Sequence, residues 1–159
     1  MEDFIQLKKN NILKIGIKDS DGKDTGNFLE FDLEDIELGL KLNQCQKKHN
    51  ENVQNVKRQF IIIDKKQDKK GKQLLSWKEE EKIKVLKQFY KDEADALDLF
   101  LGKGGTKKLL NGRNPYWTMY DDINEMLKPI LPKLKLSMDG VVDKIKAKYK
   151  STGKEDTLK

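Results

Sequence analysis

The segment from Leu97 to Pro115 constrains the fold of this chain more than any other stretch, because it contains two helix ends and two helix starts. Gly102 can adopt the left-handed conformation that ends a helix, and a glycine turn follows it. Thr106 is predicted to cap a short helix over 107–110, and proline at the first helical position is predicted to open the next helix. The segment therefore predicts helices joined by short connections, whose turn residues are Gly104, Gly105, Asn111, Gly112 and Asn114.

A second strong pattern lies upstream, where apolar residues recur at steps of three and four over residues 38–63. This spacing predicts one long amphipathic helix. The run from Phe60 to Ile63 is also compatible with a short strand, although we favour the helix. We call the inward-facing residues the 38–63 stripe: Leu38, Leu42, Cys45, His49, Val53, Val56, Phe60 and Ile63.

Further helices are predicted downstream. Ser76 and Glu79 form a capping box, which predicts that a helix begins there. Pro129 and Pro132 are expected to kink or break the helix that follows Pro115. A last amphipathic segment covers residues 136–149, with lysines near its C-terminal end, where the helix dipole favours positive charge.

The N-terminal part shows the two-residue alternation of a strand over 11–18, followed by aspartate- and glycine-rich turn chemistry over 19–26. Residues 27–31 are predicted to return as a second strand, which completes a β-hairpin. Asp32 or Asp35 is predicted to cap the helix that follows.

These elements predict an α+β fold, in which an N-terminal β-hairpin is attached to a mainly helical bundle of four or five helices. The chain has 159 residues, enough for one domain with a modest core. We therefore expect a single domain over residues 1–150. Residues 151–159 have no apolar pattern, and a flexible C-terminal tail is expected there.

The charge of the chain is unevenly distributed. Its formal net charge is +6, yet the stretch 19–37 has eight acidic residues against Lys23 alone. Lysines are concentrated over 65–72 and from Lys144 onward. Such separation of signs favours docking to another protein as much as binding to a polyanion. With only two arginines in the chain, specific recognition of bases is the less favoured of the two.

No set of residues predicts catalysis, a metal site or a cofactor. Cys45 and His49 lie four residues apart but have no second pair to complete a zinc site, so we interpret them as core residues. The acidic turn at Asp19 lacks the spacing of a calcium loop, and the glycines of 102–108 lack the order of a phosphate-binding loop. No carboxylate occupies an apolar position that would single it out as a general acid or base. The chain is therefore predicted not to be an enzyme.

The single cysteine excludes an intramolecular disulfide and favours a reducing compartment. The N-terminus begins with acidic residues and has no apolar run, which is not typical of a signal peptide. No window of the sequence approaches the roughly 18 apolar residues of a membrane span. No membrane is therefore predicted as a partner.

The run from Ile83 to Leu131 resembles the tail assembly chaperones of long-tailed, siphovirus-like phages that infect Gram-positive bacteria. What matches is an order of parts: a helix with aromatic and acidic residues, a glycine turn, a Gly-Thr pair, a short leucine-rich helix and a final helix. The hairpin and the acidic start of the long helix resemble the same family. The residues that carry the resemblance are Phe89–Glu93, Leu99–Gly102, Gly105–Thr106, Lys108–Asn114 and Phe31–Asp35.

The resemblance implies a non-enzymatic protein of the host cytoplasm that binds the tape measure protein while the tail tube assembles around it. The tail tube protein and further copies of the chain are additional expected partners. The alternatives are a small basic nucleic-acid-binding protein and a phage protein that masks a host protein. An apolar groove between helices would suit a helical partner, and we predict that seven residues contribute to it: Leu38, Leu42, Val53, Val56, Phe60, Phe100 and Leu109.

Overall fold

A computed structural model describes residues 2–8 and 11–151, and it confirms the predicted α+β class. An antiparallel hairpin is followed by five helices: β1 Ile12–Lys18, β2 Asp24–Asp32, α1 Leu38–Asp64, α2 Trp77–Leu101, α3 Gly105–Leu110, α4 Met119–Leu127 and α5 Leu131–Ser151. The chain forms two compact units. One is Leu40–Asn124, and the other consists of the described residues of 1–39 and 125–159.

The hairpin has one buried face and one exposed face. Leu13 pairs with Phe31 and Ile15 with Leu29, and both residues of β2 are buried. Because strand side chains alternate, Phe28 lies on the other face, 41% exposed, with the Lys14 ammonium 4.8 Å from its ring. The alternation of β1 thus places its apolar residues as predicted, and β2 is longer than the predicted 27–31.

The acidic turn of the hairpin is held by its own backbone. The Asp19 carboxylate accepts hydrogen bonds from the amides of Asp21 and Lys23, both at 2.9 Å. Asp24 accepts from the amide of Gly26 at 2.8 Å. Aspartate in this role stabilises a turn without an ion.

Helix α1 begins at Leu38 and continues through Phe60–Ile63, so the helical alternative for that run is correct. The 27 residues extend over about 40 Å. Asp32 and Asp35 accept the amides of Glu34 and Glu37 in the turn before the helix. The predicted cap is therefore wrong, because these carboxylates stabilise the turn that leads into α1.

The capping box at the start of α2 is confirmed. The Ser76 hydroxyl accepts from the amide of Glu79 at 3.2 Å, and the Glu79 carboxylate accepts from the amide of Ser76 at 3.4 Å. The lysine-rich loop folds back here, because Asp68 accepts from the amide of Lys78 at 3.0 Å. This backbone hydrogen bond lowers the pKa of Asp68. The loop is thus tied to the helix it precedes.

Helix α3 starts earlier than predicted. Its N-cap is Gly104, whose φ of +76° is the left-handed conformation that favours glycine, and Thr106 lies inside the helix. The prediction that Thr106 caps α3 is therefore wrong. Asn111 ends α3, as predicted, and it adopts a left-handed conformation.

Helix α4 begins at Met119, not at Pro115, so the prediction of proline at its first position is wrong. Met119, Tyr120, Ile123 and Leu127 of this helix are buried. The chain then breaks before Pro132, which lies at the second position of α5, where its missing N–H costs no helical hydrogen bond. Ser151 is the last helical residue, and the rest of the predicted tail lies outside the described residues. No helix in the described ranges is long and apolar enough to cross a membrane.

Candidate partner-binding surface

The seven residues predicted to bind a partner do not form an open groove in the free chain. Val56 is 3% exposed and Phe100 5% exposed, so the packed helices already cover them. Leu38 is buried as well. The others are half-buried: Leu42, Val53, Phe60 and Leu109. Their contact with a partner stays a prediction.

A polar cluster joins three helices inside the unit Leu40–Asn124. The Glu93 side chain on α2 is 2% exposed, and its two oxygens have partners on α1. One oxygen lies 2.6 Å from Nδ1 of His49, and the other accepts from the Asn52 amide at 2.9 Å. The ring of Tyr120, on α4, stacks on His49 with 3.6 Å between centroids and 3° between planes. We call these four residues the Glu93 cluster.

The Glu93 cluster corrects the expectation that no carboxylate occupies an apolar position. Glu93 lies on the same face of α2 as Phe89, Ala96 and Phe100, at the spacing of one helical stripe. The sequence alone shows this spacing, which indicates a buried acid.

The burial of Cys45 agrees with its interpretation as a core residue. Within the described residues, no group of three or more histidine, cysteine or acidic side chains could hold a metal ion.

Cys45 lies beside this cluster, and its thiol is held in the protonated form. Burial raises the pKa of Cys45 from 9.0 to about 11, although a hydrogen bond with Tyr120 opposes the rise. Burial also raises the pKa of Tyr120. Since thiolate is the nucleophilic form, such a thiol is inert at neutral pH.

We therefore expect Cys45 to resist Ellman's reagent at pH 8 while the chain is folded, with a reaction at least about a hundredfold slower than for a free thiol. The same sample in denaturant should react at once and completely, which is the control. A fast reaction of the folded chain would show that Cys45 is accessible.

The same pKa values predict a loss of stability at alkaline pH. The folded chain favours the protonated thiol, so this stabilisation is complete below pH 9 and is lost as the pH rises towards about 11. Tyr120 acts in the same direction. The free energy of unfolding, measured by urea denaturation across this range, should fall more steeply for the wild type than for Cys45→Ala. Equal slopes would contradict the prediction.

The glycine turn after α2 is closed by one carboxylate. Asp98 accepts from the amides of Gly104 at 3.1 Å and Thr106 at 2.9 Å, and from the Thr106 hydroxyl at 2.8 Å. Thr106 is 1% exposed. The Gly-Thr pair that carries part of the resemblance therefore has a structural role. The amides of Gly104 and Thr106 therefore face an anion of the chain itself.

An open groove lies along the outer face of α2, within the unit Leu40–Asn124. It has a volume of about 720 Å³ and ends against the loop that precedes α4. Tyr90, Ala94 and Pro115 contribute apolar surface, and Lys84, Lys87 and Lys91 contribute basic side chains. We call it the α2 groove; it is lined by Lys84, Lys87, Gln88, Tyr90, Lys91, Ala94, Asn114 and Pro115.

The loop wall of the α2 groove is held in place locally. The Arg113 guanidinium lies 4.0 Å from the centre of the Tyr116 ring, a cation–π contact that brackets Asn114 and Pro115. Gly112 turns the chain into this loop with a φ of +84°. This contact restrains the wall before a partner binds, and such restraint lowers the entropic cost of binding.

The α2 groove lies wholly within the run Ile83–Leu131, although none of the seven predicted binding residues lines it. Its lysines could have been noticed from their spacing: Lys84, Lys87 and Lys91 lie three and four residues apart, which places them on one helical face. Comparison of the chain with protein-family models, curated proteins and solved structures finds no match. What the α2 groove binds must follow from its own shape and charge.

Proposed function

We propose that this chain is a non-enzymatic tail assembly chaperone of a long-tailed phage. It binds the tape measure protein in the host cytoplasm and releases it as the tail tube assembles, with the tail tube protein as a second partner. The observation that carries the proposal is the α2 groove, which combines apolar surface with basic side chains and lies inside the run that resembles these chaperones.

The shape of the α2 groove suits an amphipathic helix. A helix placed in such a groove buries its apolar face against Tyr90, Ala94 and Pro115. A tape measure protein is long and helical, and its apolar stripe would aggregate if left bare. Temporary cover for such a stripe is what a chaperone must supply.

The charge of the α2 groove specifies its occupant further. Lys87 and Lys91 are exposed, and Lys84 donates to Glu81 at 3.0 Å while still lining the groove. Glu81 offsets the charge of Lys84, so the positive charge of the groove comes mainly from Lys87 and Lys91, and it favours a helix with glutamates or aspartates along its edge. We therefore propose that an acidic-edged helical segment of the tape measure protein occupies the α2 groove.

Co-purification tests this function. The chain is expressed with an affinity tag together with its neighbouring phage genes, and nuclease-treated and untreated lysates are compared. We expect one long helical protein to copurify in both. The variant Lys87→Glu with Lys91→Glu should reduce its recovery about tenfold or more, because it places like charges against the acidic edge.

A matched control is Lys47→Glu with Lys57→Glu, which changes the net charge equally at exposed positions of α1. It should leave recovery unchanged. If only nucleic acid is recovered, and nuclease removes it, the proposed chaperone function is wrong. The alternative of a basic nucleic-acid-binding protein then replaces it. Equal losses in both variants would reject the α2 groove as the binding surface.

A further inference from the structure

The lysine-rich loop between α1 and α2, residues 65–72, carries a concentrated positive charge. Its five lysines oppose one acidic residue, Asp68. All five are exposed, and no carboxylate in the described part of the chain forms an ion pair with any of them. The five are Lys65, Lys66, Lys69, Lys70 and Lys72. An exposed group of like charges attracts a polyanion.

The acidic residues nearest to the loop in sequence are engaged elsewhere. Asp64, at the end of α1, pairs with Lys82 at 2.7 Å. The Asp68 carboxylate accepts hydrogen bonds from the amides of Lys69 at 2.8 Å and Lys78 at 3.0 Å. Asp68 offsets one of the five positive charges, so the loop as a whole remains basic.

The loop is tied to both neighbouring helices. The amide of Lys65 donates to the Ile61 carbonyl at 3.2 Å, which extends the hydrogen bonding of α1 into the loop. The amide of Trp77 donates to the Lys69 carbonyl at 2.8 Å, which closes the loop against the start of α2. Because these bonds restrain the loop before a ligand binds, the entropic cost of binding is lower than for a free chain.

An open cavity of about 450 Å³ lies between the loop and the first turn of α2. Lys69 and Lys70 bring positive charge to its lining, whereas Leu75 and Trp77 bring apolar surface. The Lys66 ammonium lies 5.8 Å from the centre of the Trp77 ring. A cavity of this volume is large enough for one small ligand group such as a nucleobase with its sugar.

Lysines beside an aromatic ring suit a single strand of nucleic acid, because the lysines neutralise phosphates while the ring stacks on an unpaired base. A lipid surface would instead require several apolar side chains that project from the loop. Over residues 65–76 only Leu74, which is 89% exposed, projects in this way. Glu80 also lines the cavity and repels phosphate, so the phosphates are expected at Lys69 and Lys70.

We propose that the lysine-rich loop binds single-stranded nucleic acid without sequence preference. Phosphates contact Lys69 and Lys70, and one base stacks on Trp77. Lysine neutralises phosphate as a point charge, which agrees with a chain that has only two arginines. DNA and RNA share this chemistry. The site is separate from the proposed tape measure site, because neither Trp77 nor any residue of the loop lines the α2 groove.

Fluorescence anisotropy tests this binding on the purified full chain, with labelled oligonucleotides of about 16 thymidines or 16 uridines. The two oligonucleotides distinguish DNA from RNA as the bound strand. At about 50 mM salt we expect a dissociation constant in the micromolar range for at least one of them. The logarithm of the association constant should fall against the logarithm of the salt concentration with a slope of about −2, the value for about three neutralised phosphates.

Charge variants locate the site. Lys69→Gln with Lys70→Gln should weaken binding about tenfold or more and should make the salt slope shallower by about 1.4. The matched control, Lys47→Gln with Lys57→Gln, removes the same charge from exposed positions of α1 and should leave both quantities unchanged. Glu80→Gln should strengthen binding about twofold or more, because it removes a repulsive charge. Circular dichroism should show that all three variants remain folded.

The fluorescence of Trp77 tests the stacking. Trp117→Phe leaves Trp77 as the only tryptophan of the chain. Stacking on a base should quench this fluorescence as the oligonucleotide saturates the protein. Binding without quenching would overturn the placement of a base at Trp77.

Absence of binding at about 0.1 mM protein and low salt would overturn the proposal. So would equal losses in the loop variant and its control, or binding to phosphatidylglycerol vesicles but to neither oligonucleotide. The loop variants should leave co-purification from nuclease-treated lysate unchanged, and the α2 groove variants should leave oligonucleotide binding nearly unchanged. The two proposals can therefore fail separately.

Discussion

Glu93→Ala is expected to lower the free energy of unfolding by about 2–4 kcal/mol, because it removes a buried carboxylate and leaves its two part-buried partners, His49 and Asn52, without their acceptor. Both Glu93 oxygens are engaged, one by His49 at 2.6 Å and one by Asn52 at 2.9 Å. No buried side-chain nitrogen or oxygen among the described residues lacks a partner in the intact chain. The substitution leaves Nδ1 of His49 and the side-chain amide of Asn52 without this acceptor. Urea denaturation followed by circular dichroism measures the effect.

The control is Glu125→Ala, which removes the carboxylate of an exposed pair with Lys128. It should change the free energy of unfolding by no more than about 1 kcal/mol, since solvent screens such a pair. A double-mutant cycle of Glu93→Ala with His49→Ala isolates the pairwise energy. A loss below about 1 kcal/mol for Glu93→Ala would mean that the Glu93 cluster is open to water in solution.

The second large effect is expected for Asp98→Ala. One carboxylate accepts three hydrogen bonds, from two backbone amides and the Thr106 hydroxyl, and it holds the glycine turn against the end of α2. Hydrogen bonds to a charged acceptor are stronger than neutral ones, and Thr106 is buried. We expect a loss of about 2–4 kcal/mol in the free energy of unfolding.

Hydrogen exchange provides the local readout for Asp98→Ala. The amides of Gly104 and Thr106 should exchange much faster, while those in the middle of α1 should change only with global stability. Asp95→Ala is the matched control, because Asp95 is an exposed residue of the same helix. It should alter stability by no more than about 0.5 kcal/mol. Unchanged protection of Thr106 would contradict the role of Asp98.

Much of the fold was predictable because it depends on neighbours in sequence. The capping box of Ser76 and Glu79 needs only four consecutive residues, and the hairpin needs only alternation and turn chemistry. The 38–63 stripe predicted α1 in the same way, including the run Phe60–Ile63 that could have been a strand. Backbone preference and side-chain period are local properties, so the sequence states them directly.

Helix caps are harder to place from the sequence, because a capping side chain can form its hydrogen bond elsewhere. Thr106 has the side chain of an N-cap, yet its hydroxyl bonds Asp98, eight residues earlier. Asp35 also has the side chain of a cap, but it bonds a turn amide before α1 begins. Several residues near a helix start can accept or donate the capping hydrogen bond, and the packing of the preceding loop decides which of them does so.

The candidate surfaces also have some features that the sequence predicts and others that depend on tertiary packing. Periodicity alone identified the apolar stripe of the last helix and the separation of acidic from basic segments, because both are patterns along the chain. Only the tertiary structure decided that Val56 and Phe100 are covered while Val142 and Ile145 remain exposed. Period distinguishes an apolar face from a polar one, but it does not reveal which apolar face finds a partner within the same chain. Nor does it bring Glu93 to His49, 44 positions away, since that contact depends on how α1 and α2 pack.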